Sequence, residues 1–228
     1  MRLRALFVAG GVLTTLLIPA AADADGSQSL ITKSKATKLA KAGVLKQFDL
    51  PRFLAEPQPA DTAQDVADNQ AMYACLGVPY PTYAAQNFGT AFTKDRYEID
   101  SSTDVLAKVS GAKADMAAFR SKKFPGCLKA YFRKGLSEQG LEVQSISVRA
   151  VPTVVGGADE TVVYRIVAVV NAGPRRTVKI DGYGLVARVG QTEITVSPTR
   201  FDGVTPKLSQ SVGLAQIAAQ RVRAKLAS

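Results

Sequence analysis

The sequence predicts an α+β fold in which an antiparallel sheet packs against helices as a sandwich. Two observations carry this prediction. Between residues 61 and 138 the apolar residues recur mainly at helical spacing, whereas between 141 and 196 they recur at the spacing of strands. A final amphipathic segment, residues 206–226, supplies a further helix. Helices on both sides of a run of strands are typical of one α+β domain.

The first 24 residues have the pattern of an export signal. Arg2 and Arg4 precede an apolar stretch over residues 5–21, and Ala22-Asp23-Ala24 is a small-x-small cleavage site. The stretch is short for a bilayer span and contains a proline near its end, which disfavours the alternative of an uncleaved anchor. We therefore predict a cleaved signal peptide over residues 1–24 and a secreted, extracytoplasmic protein of the cell envelope.

The chain is strongly basic, with a formal net charge of +10 and no histidine. Removing the leader loses Arg2, Arg4 and Asp23, so the mature chain keeps a charge of +9. Such a charge favours anionic partners through long-range attraction. Nucleic acid is excluded as a partner, because the chain is exported and its basic residues are not interleaved with aromatic residues that stack on bases.

Residues 25–50 are predicted to be a basic flexible arm, mobile or partly helical. Small residues dominate this segment, and five lysines stand among them: Lys33, Lys35, Lys38, Lys41 and Lys46. We expect the arm to add electrostatic attraction to anionic material. We also expect that deleting residues 26–46 leaves the rest of the protein folded.

Residues 51–228 are expected to form a single sensor-like domain that begins with mostly helical elements. The expected elements are an entry strand at 52–55, a helix at 61–76, strands at 87–94 and 97–109, and a helical region at 113–138. Asp61 and Thr62 are both suitable N-caps for the first helix, and Gly77 is a suitable C-terminal stop. Phe124-Pro125 is expected to break the later helical region in two, because proline disfavours helix in the residue before it.

The second half is expected to be strands followed by one helix. The expected elements are strands at 141–150, 161–170, 176–189 and 192–196, then a helix capped by Thr205-Pro206. Val143 and Ile146 change parity around Ser145, which predicts a β-bulge. The strand at 161–170 is nearly all apolar, as expected of a central strand covered on both faces. The regular apolar face of the last helix predicts that it belongs to the core.

Two cysteines, Cys75 and Cys127, allow a single pairing that closes a loop of 52 positions. Outside the cytoplasm, such cysteines are more often paired than free. A loop of this length stabilises a fold by about 4 kcal/mol in the chain-entropy treatment. A catalytic or metal-binding thiol would need a base or further ligands, and the chain has neither histidine nor CxxC. Both cysteines lie at predicted helix ends, so we expect a bridge that joins two layers.

The strings around the two cysteines carry a family resemblance. Cys75-Leu76-Gly77-Val78-Pro79 and the segment Phe119–Cys127 resemble actinobacterial secreted and lipoprotein domains related to the PknH-like extracellular sensor domain. The resemblance covers roughly residues 45–228. It implies a Mog1/PsbP-like α/β/α sandwich, the disulfide Cys75–Cys127, and a ligand-binding or sensing role without enzymatic activity. The sensor domain of the kinase has two cysteine pairs where this chain has one, and we expect no transmembrane helix or kinase here, so a signal would pass through another protein.

No arrangement of residues predicts catalysis. A serine hydrolase without histidine would need a lysine base, and no S-x-x-K is present. Acidic neighbours such as Asp159-Glu160 are better explained by solvation than by glycosidase chemistry. The segment 100–104 is rich in oxygen ligands but lacks the glycine and glutamate that complete a calcium loop. We predict no enzymatic activity, no cofactor and no metal ion, with a histidine-free hydrolase as the remaining enzyme alternative.

The predicted function is non-catalytic recognition of an anionic or amphiphilic envelope component. The partner classes are an unknown small molecule, a lipid or an anionic wall polymer, with peripheral membrane contact or another envelope protein as further options. The candidate ligand contacts are Tyr80, Tyr83, Tyr97, Arg120 and Lys122.

Three outcomes distinguish the function classes. We expect an apolar cleft without clustered carboxylates, because clustered carboxylates of shifted pKa would favour an enzyme. A flat exposed apolar patch would instead favour a structural or partner-binding envelope protein.

Overall fold

The computed structural model describes residues 30–58, 62–173 and 176–228, and the predicted leader over residues 1–24 lies outside them. In this part of the chain there are five α-helices and eight strands. The helices are α1 (Lys33–Gly43), α2 (Ala63–Leu76), α3 (Val109–Phe119), α4 (Phe124–Glu138) and α5 (Leu208–Leu226). The strands are β1 (Leu54–Pro57), β2 (Tyr83–Phe88), β3 (Thr90–Lys94), β4 (Tyr97–Leu106), β5 (Glu142–Ala150), β6 (Glu160–Asn171), β7 (Thr177–Val189) and β8 (Thr192–Arg200).

All eight strands belong to one antiparallel sheet with the order β1-β3-β4-β8-β7-β6-β5, and β2 pairs with β4 beside β3. The consecutive strands β6, β7 and β8 pair as predicted from the sequence. The register of β5 against β6 shifts between Val143 and Ser145, which confirms the predicted bulge. The sheet therefore places β4 and β8, distant in sequence, side by side at its centre.

Helices cover both faces of the sheet, and the alternation of side chains along each strand separates the two faces. On one face, Val163 and Leu185 pack in a core with α1 and α5. On the other, Val162, Tyr164 and Ile166 pack against α2, α3 and α4. The predicted α+β sandwich with helices on both sides is thus confirmed. The strand β6 is covered on both faces as predicted, but it lies next to the edge strand β5 and not at the centre of the sheet.

Of the two alternatives for the basic arm, the described residues 30–50 are partly helical and not mobile, because α1 is packed into the core. In α1, Ala36 and Leu39 are fully buried, and the helix packs against α5 and the sheet. Its lysines occupy the opposite, exposed face. The spacing of Ala36, Leu39, Ala40 and Gly43 forms an apolar helix stripe, a signal that the abundance of lysine concealed. Deleting residues 26–46 would remove part of the core, so the expectation that the deletion leaves the protein folded is wrong.

Most of the predicted helix ends are confirmed, with two exceptions. The later helical region begins at Val109 and not at Lys113. Thr62 caps α2, which ends at Gly77 in the left-handed conformation with φ 76°. The helical region breaks before Phe124, with proline in the first turn of α4. The predicted cap at Thr205 is wrong, because α5 begins only at Leu208. The hydroxyl of Thr205 instead donates to Oδ2 of Asp181, which is fully buried in β7.

The disulfide joins Cys75 and Cys127, with Cα atoms 5.8 Å apart. Cys75 lies in the last turn of α2, and Cys127 lies in the first turn of α4. Both helices belong to the same layer, so the expectation that the bridge joins two layers is wrong. The bridge instead fixes the spacing of two neighbouring helices that face the sheet together.

Candidate ligand-binding cavity

A cavity of about 80 Å³ lies between the sheet and the layer of α2, α3 and α4. Most of its wall is apolar, and the side chains come from all three helices and from β6. These wall residues include Met72, Phe119, Phe124, Leu128, Val162 and Tyr164. Tyr164 can face this apolar space because its hydroxyl donates to the backbone carbonyl of Phe119 at 2.8 Å. The cavity is partly open to solvent and smaller than most small-molecule pockets, so it can hold a small ligand or one end of a longer one.

One end of the cavity is polar and carries three carboxyl groups, from Asp104 of β4, Asp115 of α3 and Glu193 of β8. Asp104 and Glu193 are cross-strand partners, so they point to the same face of the sheet. Asp115 meets them from the helix above and accepts a hydrogen bond from the hydroxyl of Tyr73 at 2.9 Å. The fold thus brings together residues that are up to 89 positions apart in sequence, from 104 to 193.

The carboxyl groups of Asp115 and Glu193 interact, and the pKa of each is raised. They are only 5% and 3% exposed. Burial raises the pKa of Asp115 to about 6, although hydrogen bonds from Tyr73 and Glu193 act to lower it. Burial raises the pKa of Glu193 well above its usual value, and the charge of Asp115 raises it further. The hydrogen bond between two carboxyl groups requires a proton on one of them, so Glu193 is protonated when Asp115 is ionised.

Of the predicted contact residues, Tyr83 lines the cavity and Tyr80 lies just behind it. The Tyr80 ring meets the rings of Tyr73 and Tyr83 edge-on, with centroids 5.2 and 5.9 Å apart. Burial raises the pKa of Tyr83 well above its usual value, and the nearby carboxyl groups of Asp104 and Asp115 raise it further. The tyrosines therefore keep their hydroxyl protons beside the acidic end.

The structure places the other three predicted contacts outside the cavity lining. Tyr97 lies on the opposite face of the sheet, because it is two residues from Ile99 on β4 and points to the same side. Its ring packs against Phe53. Arg120 is exposed and forms an ion pair with Glu160. Lys122 is exposed next to α4. Aromatic type and closeness in sequence to a cysteine did not distinguish these three residues from true lining residues.

The polar end continues along a strip of buried polar pairs between β4 and β8. Asp100 lies opposite Ser197, and Ser102 lies opposite Thr195 of the cavity lining. Within the described residues, five atoms of these pairs and of the acidic end have no hydrogen-bond partner: Asp100 Oδ2, Ser102 Oγ, Ser197 Oγ, Asp115 Oδ1 and Glu193 Oε1. Unpartnered buried polar atoms are uncommon in folded proteins, and they occur where water or a ligand completes the site.

The expectation of a cleft without clustered carboxylates of shifted pKa is wrong. Sequence reasoning missed Asp115 and Glu193, because neither belongs to a recognisable catalytic or metal-binding motif. A signal was present for Asp115, which stands at helical spacing between Ala112 and Phe119 on the buried face of α3. No such signal marks Glu193, because its burial depends on α3 passing above β8. Among the described residues, no group of three or more Asp, Glu, Cys or His side chains is arranged to hold a metal ion.

The opposite side of the molecule is basic. Neither α1 nor α5 contains an aspartate or glutamate, and the lysines of α1 lie on its exposed face. Arg221 of α5 pairs with Asp49, and Arg223 pairs with Asp159. The protein therefore has an acidic internal cavity on one side of the sheet and a basic helical layer on the other. No helix in residues 30–58, 62–173 and 176–228 is long and apolar enough to cross a membrane.

No protein-family profile matches the chain, and no curated protein matches it. Among solved structures, it is similar to the crystal structure of the extracellular domain of PknH from Mycobacterium tuberculosis, with a TM-score of 0.46 and 8% sequence identity. The similarity covers 87% of this chain and 100% of that chain. At this level it carries no argument about ligand or activity, and the family suggested by the cysteine strings stays a prediction.

Proposed function

We propose that this chain is a non-catalytic, sensor-like binding domain that takes an amphiphilic small molecule into the cavity beneath α2, α3 and α4. One observation carries the proposal: the cavity has an apolar wall on most sides and a polar end with unpartnered buried atoms. An apolar group gains free energy by leaving water, and a polar group on the same molecule can satisfy the buried carboxyl end.

The extracytoplasmic location rests on the leader pattern and on the disulfide. The Cys75–Cys127 bridge has an S–S distance of 2.05 Å and no free cysteine remains in the chain. Disulfides persist mainly in oxidising compartments. A domain that is exported and binds a ligand without changing it would report on, carry or store that ligand in the cell envelope.

A neutral amphiphile tests the cavity without involving charge. We expect hexanol to bind one site, measured by chemical-shift changes at the Tyr73 and Tyr164 rings. Val162→Phe should weaken this binding roughly tenfold or more, because the added ring occupies cavity volume. Val154→Phe is the matched control, since Val154 is 81% exposed and does not line the cavity. If hexanol does not bind, or if both variants bind it equally well, the cavity is not the ligand site.

The anionic component expected from the net charge would meet the basic layer formed by α1 and α5, because the carboxyl end of the cavity repels anions. Vesicles that contain phosphatidylglycerol test this contact. Binding should fall when four exposed lysines of α1 are changed to glutamine: Lys33, Lys35, Lys38 and Lys41. The same charge change on the opposite layer is the control, with the exposed lysines Lys108, Lys113, Lys122 and Lys129. Equal loss in both variants would exclude α1 as the contact surface.

A second candidate function, hydrolysis without histidine, is favoured by the proton-sharing pair Asp115 and Glu193. Glycosidases keep their two carboxyl groups at least about 5 Å apart to admit substrate or water, and a hydrogen-bonded pair does not. Turnover of an ester, peptide or glycan that both Asp115→Asn and Glu193→Gln abolish would establish this alternative. A binding protein would show changed affinity in these variants and no turnover in the wild type.

A further inference from the structure

We infer that the ligand of this cavity carries a primary amine on an apolar tail, with the ammonium group at the end formed by Asp104, Asp115 and Glu193. This inference rests on the proposed binding function and adds the chemical class of the ligand. It depends on the geometry of three carboxyl groups, two tyrosine rings and an apolar wall that surround the same space.

The charges around the cavity favour a cation. Three carboxyl groups line it, and no Lys or Arg is among the described residues that do so. The cation nearest in register is Arg188, the cross-strand partner of Glu193. Its guanidinium group is committed to Glu160 at 2.7 Å and to Asp159 at 3.3 Å. Burial and the charges of the two aspartates at the cavity end raise the pKa of Glu193 more than the charge of Arg188 lowers it. Arg188 does not line the cavity, so a bound cation would displace no protein cation.

The unpartnered atoms require hydrogen-bond donors. Asp115 Oδ1 and Glu193 Oε1 are buried and have no hydrogen-bond partner among the described residues. A proton on Glu193 supplies only one donor to the pair, which leaves these acceptor positions unused. An ammonium group has three N–H donors and a positive charge, so it can bond to both carboxylates at once. A hydroxyl group offers a single donor, and a carboxylate offers none.

The surroundings of the carboxyl groups suit the remainder of such a ligand. The rings of Tyr73 and Tyr83 line the cavity beside the acidic end, where aromatic faces attract cations. The wall of Phe119, Leu128 and Val162 is apolar and suits an alkyl or aryl tail. An anionic head group would place like charges together in a buried space, which is strongly unfavourable.

Three ligands with the same tail and different head groups test the inference: hexylamine, hexanol and hexanoate. At pH 7 the amine is a cation, the alcohol is neutral and the acid is an anion. On the wild-type protein we expect hexylamine to bind roughly tenfold more tightly than hexanol, and hexanoate to bind most weakly. The measurement is a chemical-shift titration at constant salt, because exposed acidic groups also attract amines at low ionic strength.

Two isosteric variants test whether the carboxyl groups of the cavity cause the preference for hexylamine over hexanol. Glu193→Gln and Asp115→Asn should each reduce the advantage of hexylamine over hexanol to less than about threefold while hexanol affinity changes little. Glu142→Gln and Asp202→Asn are matched controls, because both carboxylates bond to partners on the surface away from the cavity lining. The controls should keep the full preference for the amine.

The outcomes separate this inference from the proposed function. If hexanol binds as tightly as hexylamine, or hexanoate binds more tightly, the cavity is a ligand site and the amine assignment is wrong. If the controls lose the preference as much as the cavity variants do, the amine binds elsewhere and the assignment is again wrong. If none of the three ligands binds in the cavity, the proposed function fails and this inference fails with it.

Discussion

Burial changes the acidity of two carboxyl groups in the cavity, those of Asp115 and Glu193. Both are acidic residues in positions where the neighbours are apolar, and burial raises the pKa of each. A carboxyl group with a raised pKa destabilises the folded state at neutral pH, because ionising it costs more than it does in the unfolded chain. Retaining such groups inside a cavity is easier to explain by ligand binding than by stability.

Asp115→Asn should remove part of this pH-dependent destabilisation of the folded state. The pKa of Asp115 is about 6 in the folded state and about 3.9 in an unfolded chain. Between these values the folded state retains a proton that the unfolded state has lost, so the wild type loses stability as pH rises from 4 to 7. The variant lacks this loss of stability. Its free energy of unfolding, relative to that of the wild type, should therefore rise by about 1–3 kcal/mol between pH 4 and pH 7. Urea unfolding at both pH values measures the difference.

Asp202→Asn is the control for this measurement. Hydrogen bonds from Arg200 lower the pKa of Asp202 to about 2. Its stabilising contribution is present above the unfolded pKa and is lost only as pH falls through the folded value. The difference in free energy of unfolding between this variant and the wild type should therefore stay nearly constant from pH 4 to pH 7. The interpretation of Asp115 is wrong if both variants show the same pH dependence.

At Gly43, the helix α1 lies against the sheet with no room for a side chain. A Cβ atom at Gly43 would lie 2.4 Å from Oγ1 of Thr103, which is fully buried in β4. We expect Gly43→Ala to lower the free energy of unfolding by about 1–3 kcal/mol, because the added methyl forces the helix away from the strand. Gly213→Ala in α5 meets nothing within 4 Å and should be neutral or stabilising by about 0.5–1 kcal/mol. Equal effects in the two variants would mean that α1 is not packed here.

The last helix, α5, belongs to the core through residues such as Val222, which is fully buried. Val222→Asp should lower the free energy of unfolding by several kcal/mol, because it buries an unpaired carboxylate. Ile217→Asp places the same charge on the same helix at a position that is 38% exposed, and its effect should be much smaller. Thermal unfolding monitored by circular dichroism compares the two. An unchanged melting temperature for Val222→Asp would place α5 outside the core.

For the molecule as a whole, the disulfide is the main covalent constraint, and it holds two helices that carry cavity wall residues. Cys75 is in α2 with Met72 and Tyr73, and Cys127 is in α4 with Phe124 and Leu128. The bridge therefore connects global stability to the shape of the cavity.

Two measurements test the bridge. Protein isolated from the envelope should show no reactive thiol under native or denaturing conditions. The double variant Cys75→Ser with Cys127→Ser should be less stable by about 4 kcal/mol in the chain-entropy treatment. It should also bind hexanol more weakly than the wild type, because α2 and α4 are no longer joined. Two free thiols in the isolated protein would show that the bridge does not form there.

The sequence alone determined the local structure of most elements. Thr62 and Gly77 delimit α2, proline breaks the helical region at α4, and a change of parity places the bulge at Ser145. These features depend on backbone preferences and on periods of two or 3.6 residues, which neighbouring residues fix by themselves. The antiparallel order of β6, β7 and β8 could also be predicted, because short turns leave few other arrangements.

Only the tertiary structure decided which polar residues are functional candidates. Asp104, Asp115 and Glu193 lie far apart in sequence and meet because α3 crosses β4 and β8. Their burial and shifted acidity result from that crossing, and no local pattern contains it. The same reason explains why the position of α1 was not predicted. Its lysines suggested a mobile arm, but its opposite, apolar face packs against the sheet. A periodic pattern predicts the apolar face of a helix or strand, but only the tertiary structure determines which other elements pack against that face.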